Sequence, residues 1–211
     1  MEQGRMALLT LLLTHPLMTN LQPLTPSLLE TAYRQGIFPM GDPGGSVHWY
    51  SPDPRGIIDL DQFHITNRLK RTIRQGKFDI RIDREFSQVI RECAKREETW
   101  ITDDIISAYS ALHQLGKAHS VEAYSAKGLA GGLYGVSLGG AFMGESMFSR
   151  ERDASKVCLV YLVNRLKERG FLLLDTQFIT PHLKSFGAIE IPRRDYLKRL
   201  DMALRRACQF T

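Results

Sequence analysis

The chain has 211 residues, 43% of them hydrophobic and 24% charged, with a formal net charge of +5 and a pI near 9.2. That balance supplies a substantial core and excludes a disordered chain, and the length fits one domain of ordinary size or one with a small N-terminal appendage. The mild positive charge permits a polyanionic partner without demanding one.

The chain opens on Arg5 and the run Met6-Ala7-Leu8-Leu9-Thr10-Leu11-Leu12-Leu13, which imitates the charged and apolar regions of a signal peptide. Thr14-His15-Pro16 cuts the run off and no A-x-A site follows, so the segment is expected either to pack on the domain or to form a poorly ordered leader. No other run approaches the ~18 apolar residues of a membrane span, and a soluble, cytoplasmic protein is expected. Three cysteines (Cys93, Cys158, Cys208) without C-x-x-C spacing argue for a reducing compartment and against a disulfide framework or a zinc site.

Thr25 as cap, Pro26 in the first turn, Leu28, Leu29, Ala32 and Tyr33 along one face and Gly36 as stop predict the first helix. A Gly/Pro-rich loop over 41–46 leads to His48-Trp49-Tyr50. The aromatic group Tyr33, Phe38, Trp49 and Tyr50 is of the kind that more often builds core than site. Pro52-Asp53-Pro54-Arg55-Gly56 is turn chemistry and divides a small N-terminal lobe, 1–55, from a main domain, 56–211. Residues 68–77 read as a helix with a Gly76 stop, Leu69 and Ile73 on one side and Lys70, Arg71 and Arg74 on another. Its five cations and no acid are either a solvated face or a phosphate-backbone contact.

Residues 78–82 alternate like a strand, and 85–96 form a helix with Phe86, Val89, Ile90 and Cys93 inward. Thr102-Asp103-Asp104 caps a helix over 103–115, with Trp100 just before it and Tyr109 on it. A strand over 119–124 leads into a hairpin, 128–138 and 141–148, closed by Gly139-Gly140. On its second strand Glu145 stands among Phe142, Met143, Met147 and Phe148. That carboxylate either finds a partner or stays solvated, since an unpaired buried charge is too costly. A long helix over 153–169, begun by Ser149 or Asp153, is followed by the apolar run Phe171-Leu172-Leu173-Leu174-Asp175, a short helix from Thr180-Pro181-His182, a last strand over 188–192 and a helix over 193–207. The order predicts an α/β (mixed α+β) fold with a mixed sheet, and resembles the acetyltransferase-like (GNAT-type) fold. A site in such sheets lies at the carboxyl ends of strands, which brings Glu145 near Asp175 and Gln177.

The strings Gly131-Gly132-Leu133-Tyr134-Gly135-Val136 and Phe142-Met143-Gly144-Glu145-Ser146-Met147-Phe148-Ser149 together resemble the central signature of the leucyl/phenylalanyl-tRNA–protein transferases, enzymes that move an amino acid from a charged tRNA onto the N-terminus of a protein. Further blocks follow in the family's order: Ala32-Tyr33-Arg34-Gln35-Gly36-Ile37-Phe38-Pro39, Trp49-Tyr50-Ser51-Pro52, Thr99-Trp100-Ile101-Thr102, Ala154-Ser155-Lys156, Asp175-Thr176-Gln177 and Ser185-Phe186-Gly187-Ala188. Met40 and Tyr50 depart from it, standing where the family's best-known members carry tryptophan. The resemblance implies an activated aminoacyl ester as donor, no cofactor or metal, transfer of Leu and Phe with Met as a further donor, and acceptors beginning with Arg or Lys that are thereby marked for degradation. A monomer is expected. Gln177 would orient the incoming amine and Asp175 polarise Gln177, the two sharing one face if the strand persists that far; the plain alternative is a strand-end Asp capping a turn. Glu145 would bind the acceptor's cationic N-terminus.

Tyr33, Trp100 and Tyr109 are expected at the tRNA 3′ end or the amino-acid pocket, with Leu133, Phe142, Gly144, Leu162 and Leu166 as pocket walls, each of which is otherwise simple core. Lys70, Arg71 and Arg74 would hold the tRNA backbone. His119 and His182 lack a suitably spaced partner and receive no role. A competing reading, an acetyl-CoA-dependent N-acetyltransferase, wants Q/R-x-x-G-x-G/A before the long helix; Ser149-Arg150-Glu151-Arg152-Asp153-Ala154 stands there, with two acids and no glycine. A non-catalytic RNA-binding module would leave Glu145 and the Asp175/Gln177 pair without purpose.

Overall fold

Alternating apolar residues build the strands of this protein, and hydroxyl caps start four of its described helices: Thr25, Thr66, Thr102 and Thr180 each accept from the backbone N–H three residues on. The computed structural model describes residues 18–20, 23–42 and 44–211, so the leader-like run at 6–13 lies outside the described residues. In chain order the elements are β1 (Met18–Asn20), α1 (Pro26–Arg34), β2 (Phe38–Gly41), β3 (Val47–Tyr50), β4 (Arg55–Ile58), α2 (Asn67–Arg74), β5 (Asp79–Ile82), α3 (Phe86–Ala94), α4 (Asp103–Gln114), β6 (Ala118–Ser125), β7 (Gly128–Leu138), β8 (Ala141–Ser149), α5 (Ala154–Glu168), β9 (Leu173–Gln177), α6 (Pro181–Lys184), β10 (Ala188–Ile191) and α7 (Arg193–Leu204).

The strands form a small sheet, β1-β3-β2, and a seven-stranded sheet in the order β10-β4-β9-β8-β7-β6-β5. The large sheet is mixed: β8 and β9 run parallel and its other neighbours antiparallel. Successive side chains leave opposite faces. Tyr134 thus joins one apolar layer with Leu29, Tyr33, Phe38, Trp49, Tyr109 and Tyr196, while Leu133 joins the other with Phe142, Leu159, Leu162, Leu166 and Phe210. Residues of the N-terminal 55 therefore share a core with the large sheet, and the expected lobe boundary falls inside β4.

The β7–β8 hairpin turns where glycine was expected to turn it. Gly139 has φ 56°, and a Cβ there would lie 2.8 Å from the Leu204 carbonyl oxygen. The last turn of α7 packs against that bend, Gly140 N–H donating to the Ala203 carbonyl at 2.8 Å. Two local details refine the expectations. Asp153 is the N-cap residue of α5, as one of the two expected starts, but at φ 69° it turns its carboxylate to Arg68, at 2.7 Å, while the Ser149 hydroxyl accepts from the Ser155 N–H at 3.3 Å. On α2 Leu69 is buried, while Ile73, on the same side, is 37% exposed and borders a shallow recess with Val157, Val160 and Tyr161 of α5. Cys93 and Cys158 are buried thiols, and burial pushes Cys93 up to about 12. Among the described residues no helix is long and apolar enough to cross a membrane.

The β8–β9 pairing positions the site. It covers Ala141–Met143 against Leu173–Asp175 and stops there, while β8 runs on to Ser149 and β9 ends at Gln177. A cleft opens between the two strands beyond the last pair.

Candidate active site

Glu145 lies on β8 at the mouth of that cleft, partly buried. Its Oε1 accepts from the Tyr33 hydroxyl of α1 at 2.6 Å and from Gln177 Nε2 at 2.8 Å, and its Oε2 from the Tyr109 hydroxyl of α4 at 3.3 Å. The two phenols are also hydrogen-bonded to each other. Two phenol protons therefore serve three contacts, those to the two carboxyl oxygens and the one between the hydroxyls themselves. Burial pushes this carboxyl from 4.5 up to about 8, against the opposing hydrogen bonds of Tyr33, Tyr109 and Gln177, and the charge of Asp175 adds to the rise. Burial, then the charge of Glu145, holds both phenols well above the usual tyrosine value, so they remain donors.

Gln177 reaches Glu145 by a backbone bend rather than by strand alternation. Its φ is 64°, outside the strand region, and the register of β9 against β4 slips at the same point. Asp175 Oδ1 accepts from the Gln177 backbone N–H at 2.8 Å. The expected polarisation of the Gln177 amide by Asp175 is therefore corrected: the carboxylate meets the main chain and fixes the bend, while the amide itself is taken by Glu145. Asp175 is fully committed otherwise. Arg55 of β4, 0% exposed, grips it through Nε at 2.9 Å and Nη2 at 2.6 Å, and the Tyr196 hydroxyl donates at 2.9 Å. Arg55 Nη1 donates to the Gly36 carbonyl at 2.9 Å, and its guanidinium lies 4.7 Å from the Phe38 ring and 4.4 Å from the Tyr196 ring. This pair holds the guanidinium above its ordinary value despite burial.

The cleft encloses a cavity of about 300 Å³. Leu133, Met147, Leu159, Leu162, Leu174 and Leu183 supply apolar walls, and Glu145, Gln177, Arg96, Thr176 and Tyr134 bring polar groups to it. Of the expected site residues, Trp100, Leu133, Gly144, Glu145, Leu162 and Gln177 line it. Tyr33 and Tyr109 stand behind Glu145. Phe142 and Leu166 do not line it: Phe142 lies before the strands part and packs 5.1 Å from the Phe210 ring, and Leu166 sits a turn beyond Leu162 along α5, fully buried. Lys70, Arg71 and Arg74 are exposed on α2, away from the cavity, and make no ion pair among the described residues, whereas Arg68 and Lys77 are paired to Asp153 and Glu151. Sequence reasoning missed Arg55 and Tyr196, whose partners lie far along the chain, and Met147, Leu159 and His182. Only the three-residue step from Leu159 to Leu162 offered a signal, placing both on one helix face.

Comparison with known proteins gives a consistent picture. Residues 57–201 match the family model for leucyl/phenylalanyl-tRNA protein transferase, and residues 22–53 match that family's N-terminal domain. The leucyl/phenylalanyl-tRNA–protein transferase of Rubrobacter xylanophilus is 58% identical over 183 residues, 86% of this chain and 96% of that protein. Its counterpart in Herpetosiphon aurantiacus is 55% identical over 188 residues, 89% of this chain and 98% of that protein. The solved structure of L-PGS from Bacillus licheniformis aligns over 75% of this chain and 55% of its own, at 16% identity and a TM-score of 0.39.

Proposed function

The chain belongs to the leucyl/phenylalanyl-tRNA protein transferase family, and from that premise we propose that it transfers Leu or Phe from aminoacyl-tRNA to the N-terminus of an acceptor protein. The observation that carries the chemistry is the match between Glu145 and the group it would serve. An α-amine has a pKa of about 7.7–8.0, and Glu145 is pushed up to about 8. Near-equal proton affinity lets the carboxylate take a proton from the acceptor ammonium without a large uphill step. Gln177 gives its amide N–H to Glu145, which leaves its carbonyl oxygen to accept from the amine and aim the lone pair. Asp175, held by Arg55, acts through the backbone as a positioning residue.

The donor ester is already activated, so the remaining work is orientation and stabilisation of the tetrahedral oxyanion. The apolar walls favour Leu, Phe and Met side chains, and a charged one would lose its hydration against Leu133, Leu159, Leu162 and Leu174. Lys70, Arg71 and Arg74 are the proposed tRNA backbone contacts. Acceptors beginning with Arg or Lys, marking for degradation, a cytoplasmic monomer and the GNAT-type description of the sheet complete the reading. The last is supported by the single parallel pair, β8–β9, that parts to make the cleft. Against the acetyl-CoA alternative, the turn before α5 carries Glu151 and Asp153, both ion-paired, where a pyrophosphate would need bare backbone N–H groups.

Incubating the protein with radiolabelled leucyl-tRNA and an Arg-initiated peptide, in parallel with labelled acetyl-CoA, tests the reading. Label on the peptide from leucyl-tRNA alone is the expected result. Label from acetyl-CoA alone would replace this function by the alternative.

A further inference from the structure

Three buried side-chain atoms of the described residues have no hydrogen-bond partner: the Tyr134 hydroxyl, Thr176 Oγ1 and His182 Nε2. All three residues line the same cavity between β8 and β9. Buried polar groups are ordinarily satisfied, because the desolvated atom otherwise gains nothing for the water it gave up. Three such atoms around one space mark where a polar ligand completes the bonding.

Tyr134 is the most sharply defined of them. It is 0% exposed. Its ring is wedged edge-on against Phe86 at 5.8 Å and against Tyr109 at 5.8 Å, which fixes the direction of its hydroxyl. Across the strand it faces Ser146, the neighbour of Glu145. The other donors near that point are engaged: Tyr33, Tyr109 and the Gln177 amide on Glu145, and Arg96 on Ser146 and the Met147 carbonyl. Burial and the charge of Glu145 keep the phenol protonated.

Resting on the transferase reading, we propose that the Tyr134 hydroxyl donates to the acyl carbonyl oxygen of the aminoacyl ester and holds it as the oxyanion of the tetrahedral intermediate. The acceptor ammonium first gives one proton to ionised Glu145, which releases it to solvent; the freed lone pair attacks the carbonyl carbon, a C–N bond forms, and the carbonyl π pair moves onto oxygen. The bonded nitrogen then gives a second proton to Glu145. Collapse restores C=O and breaks the bond to the ribose oxygen, which leaves with that proton, returned from Glu145. Tyr134 keeps its proton throughout. A fixed, unengaged donor in an apolar cleft is the arrangement that needs no reorganisation as that charge develops.

The test is Tyr134→Phe, which deletes one oxygen and keeps the ring, with kcat, KM for leucyl-tRNA and Tm measured beside the wild type. The expected result is a kcat lower by roughly 100-fold, with KM little changed and Tm unchanged or raised, since the hydroxyl bonds to nothing in the protein. An active wild type with an equally active Tyr134→Phe overturns the inference alone. A fall in Tm, or failure to fold, shows that the hydroxyl serves the fold and overturns it too. Thr176→Val is run alongside: a loss of kcat confined to that variant moves the donor to Thr176. A wild type that transfers nothing from leucyl-tRNA removes the transferase reading and this inference with it.

Discussion

Glu145 and Asp175 are both partly or fully buried carboxylates, and their surroundings set them to opposite tasks. Asp175 faces a guanidinium and stays locked to it; Glu145 faces two phenols and an amide, none of them charged, and retains its proton to about pH 8. The titration is directly measurable by carbon-13 NMR of labelled glutamate. Tyr33→Phe should move it still higher, because the Tyr33 hydrogen bond holds it down; a fall in that variant would contradict the arrangement. The same shift has a sign in stability. Between 4.5 and about 8 the native state binds a proton that the unfolded chain has released, so the contribution is complete below 4.5 and is lost as pH rises through about 8. The Tm of Glu145→Gln should therefore depend less on pH over that window than the wild type's. Gln177→Ala and Asp175→Asn separate the two carboxylates' neighbours: the first should lower kcat by at least about tenfold with little change in Tm. The second leaves Arg55 buried without its counter-charge and should cost on the order of 3–5 kcal/mol in urea unfolding.

At the scale of elements, helices α1 to α5 and the β7–β8 hairpin were legible because local signals agreed: threonine caps, glycine stops, apolar periodicity. The cleft was legible in part. Glu145 and Gln177 were expected together from the parallel strand ends, and they meet. What periodicity could not carry was the bend at Gln177, since an alternation rule assumes the strand continues, nor the Arg55–Asp175 pair, whose members lie 120 residues apart. The pocket walls divide on the same ground: Leu133 and Leu162 face the cleft, whereas Phe142 precedes the point where β8 and β9 part, which only the three-dimensional register reveals. Helix α2 offers a prediction of its own. Lys70, Arg71 and Arg74 are exposed cations, and replacing all three by glutamine should weaken aminoacyl-tRNA binding and reduce the slope of log K against log salt by roughly 0.7–0.9 for each phosphate left without its cation. An unchanged slope would show that the face is merely solvated.

At the scale of the whole molecule, the site is assembled from segments that have no local reason to meet. Tyr33 comes from α1, Tyr109 from α4, Glu145 from β8 and Gln177 from β9, and Arg55 ties β4 to β9, to α7 and to the Gly36 carbonyl at the end of α1. The described residues before β4 do not form a core apart: Leu29, Tyr33, Phe38 and Trp49 pack in one apolar layer with Tyr109, Tyr134 and Tyr196. Two regions that share a core and a buried ion pair should unfold together. Urea unfolding followed by Trp49 fluorescence in a Trp100→Phe background, which reports the N-terminal region, should coincide with unfolding followed by far-UV circular dichroism, which reports mainly the large sheet and its helices. Leu29, 0% exposed, sits at the junction. Leu29→Ala should cost about 2–5 kcal/mol and shift both curves by the same amount, with activity retained under conditions where the variant stays folded. A fluorescence transition that precedes the dichroism transition, and widens its lead in Leu29→Ala, would show instead that the N-terminal region unfolds on its own and that Tyr33 reaches Glu145 only when it docks.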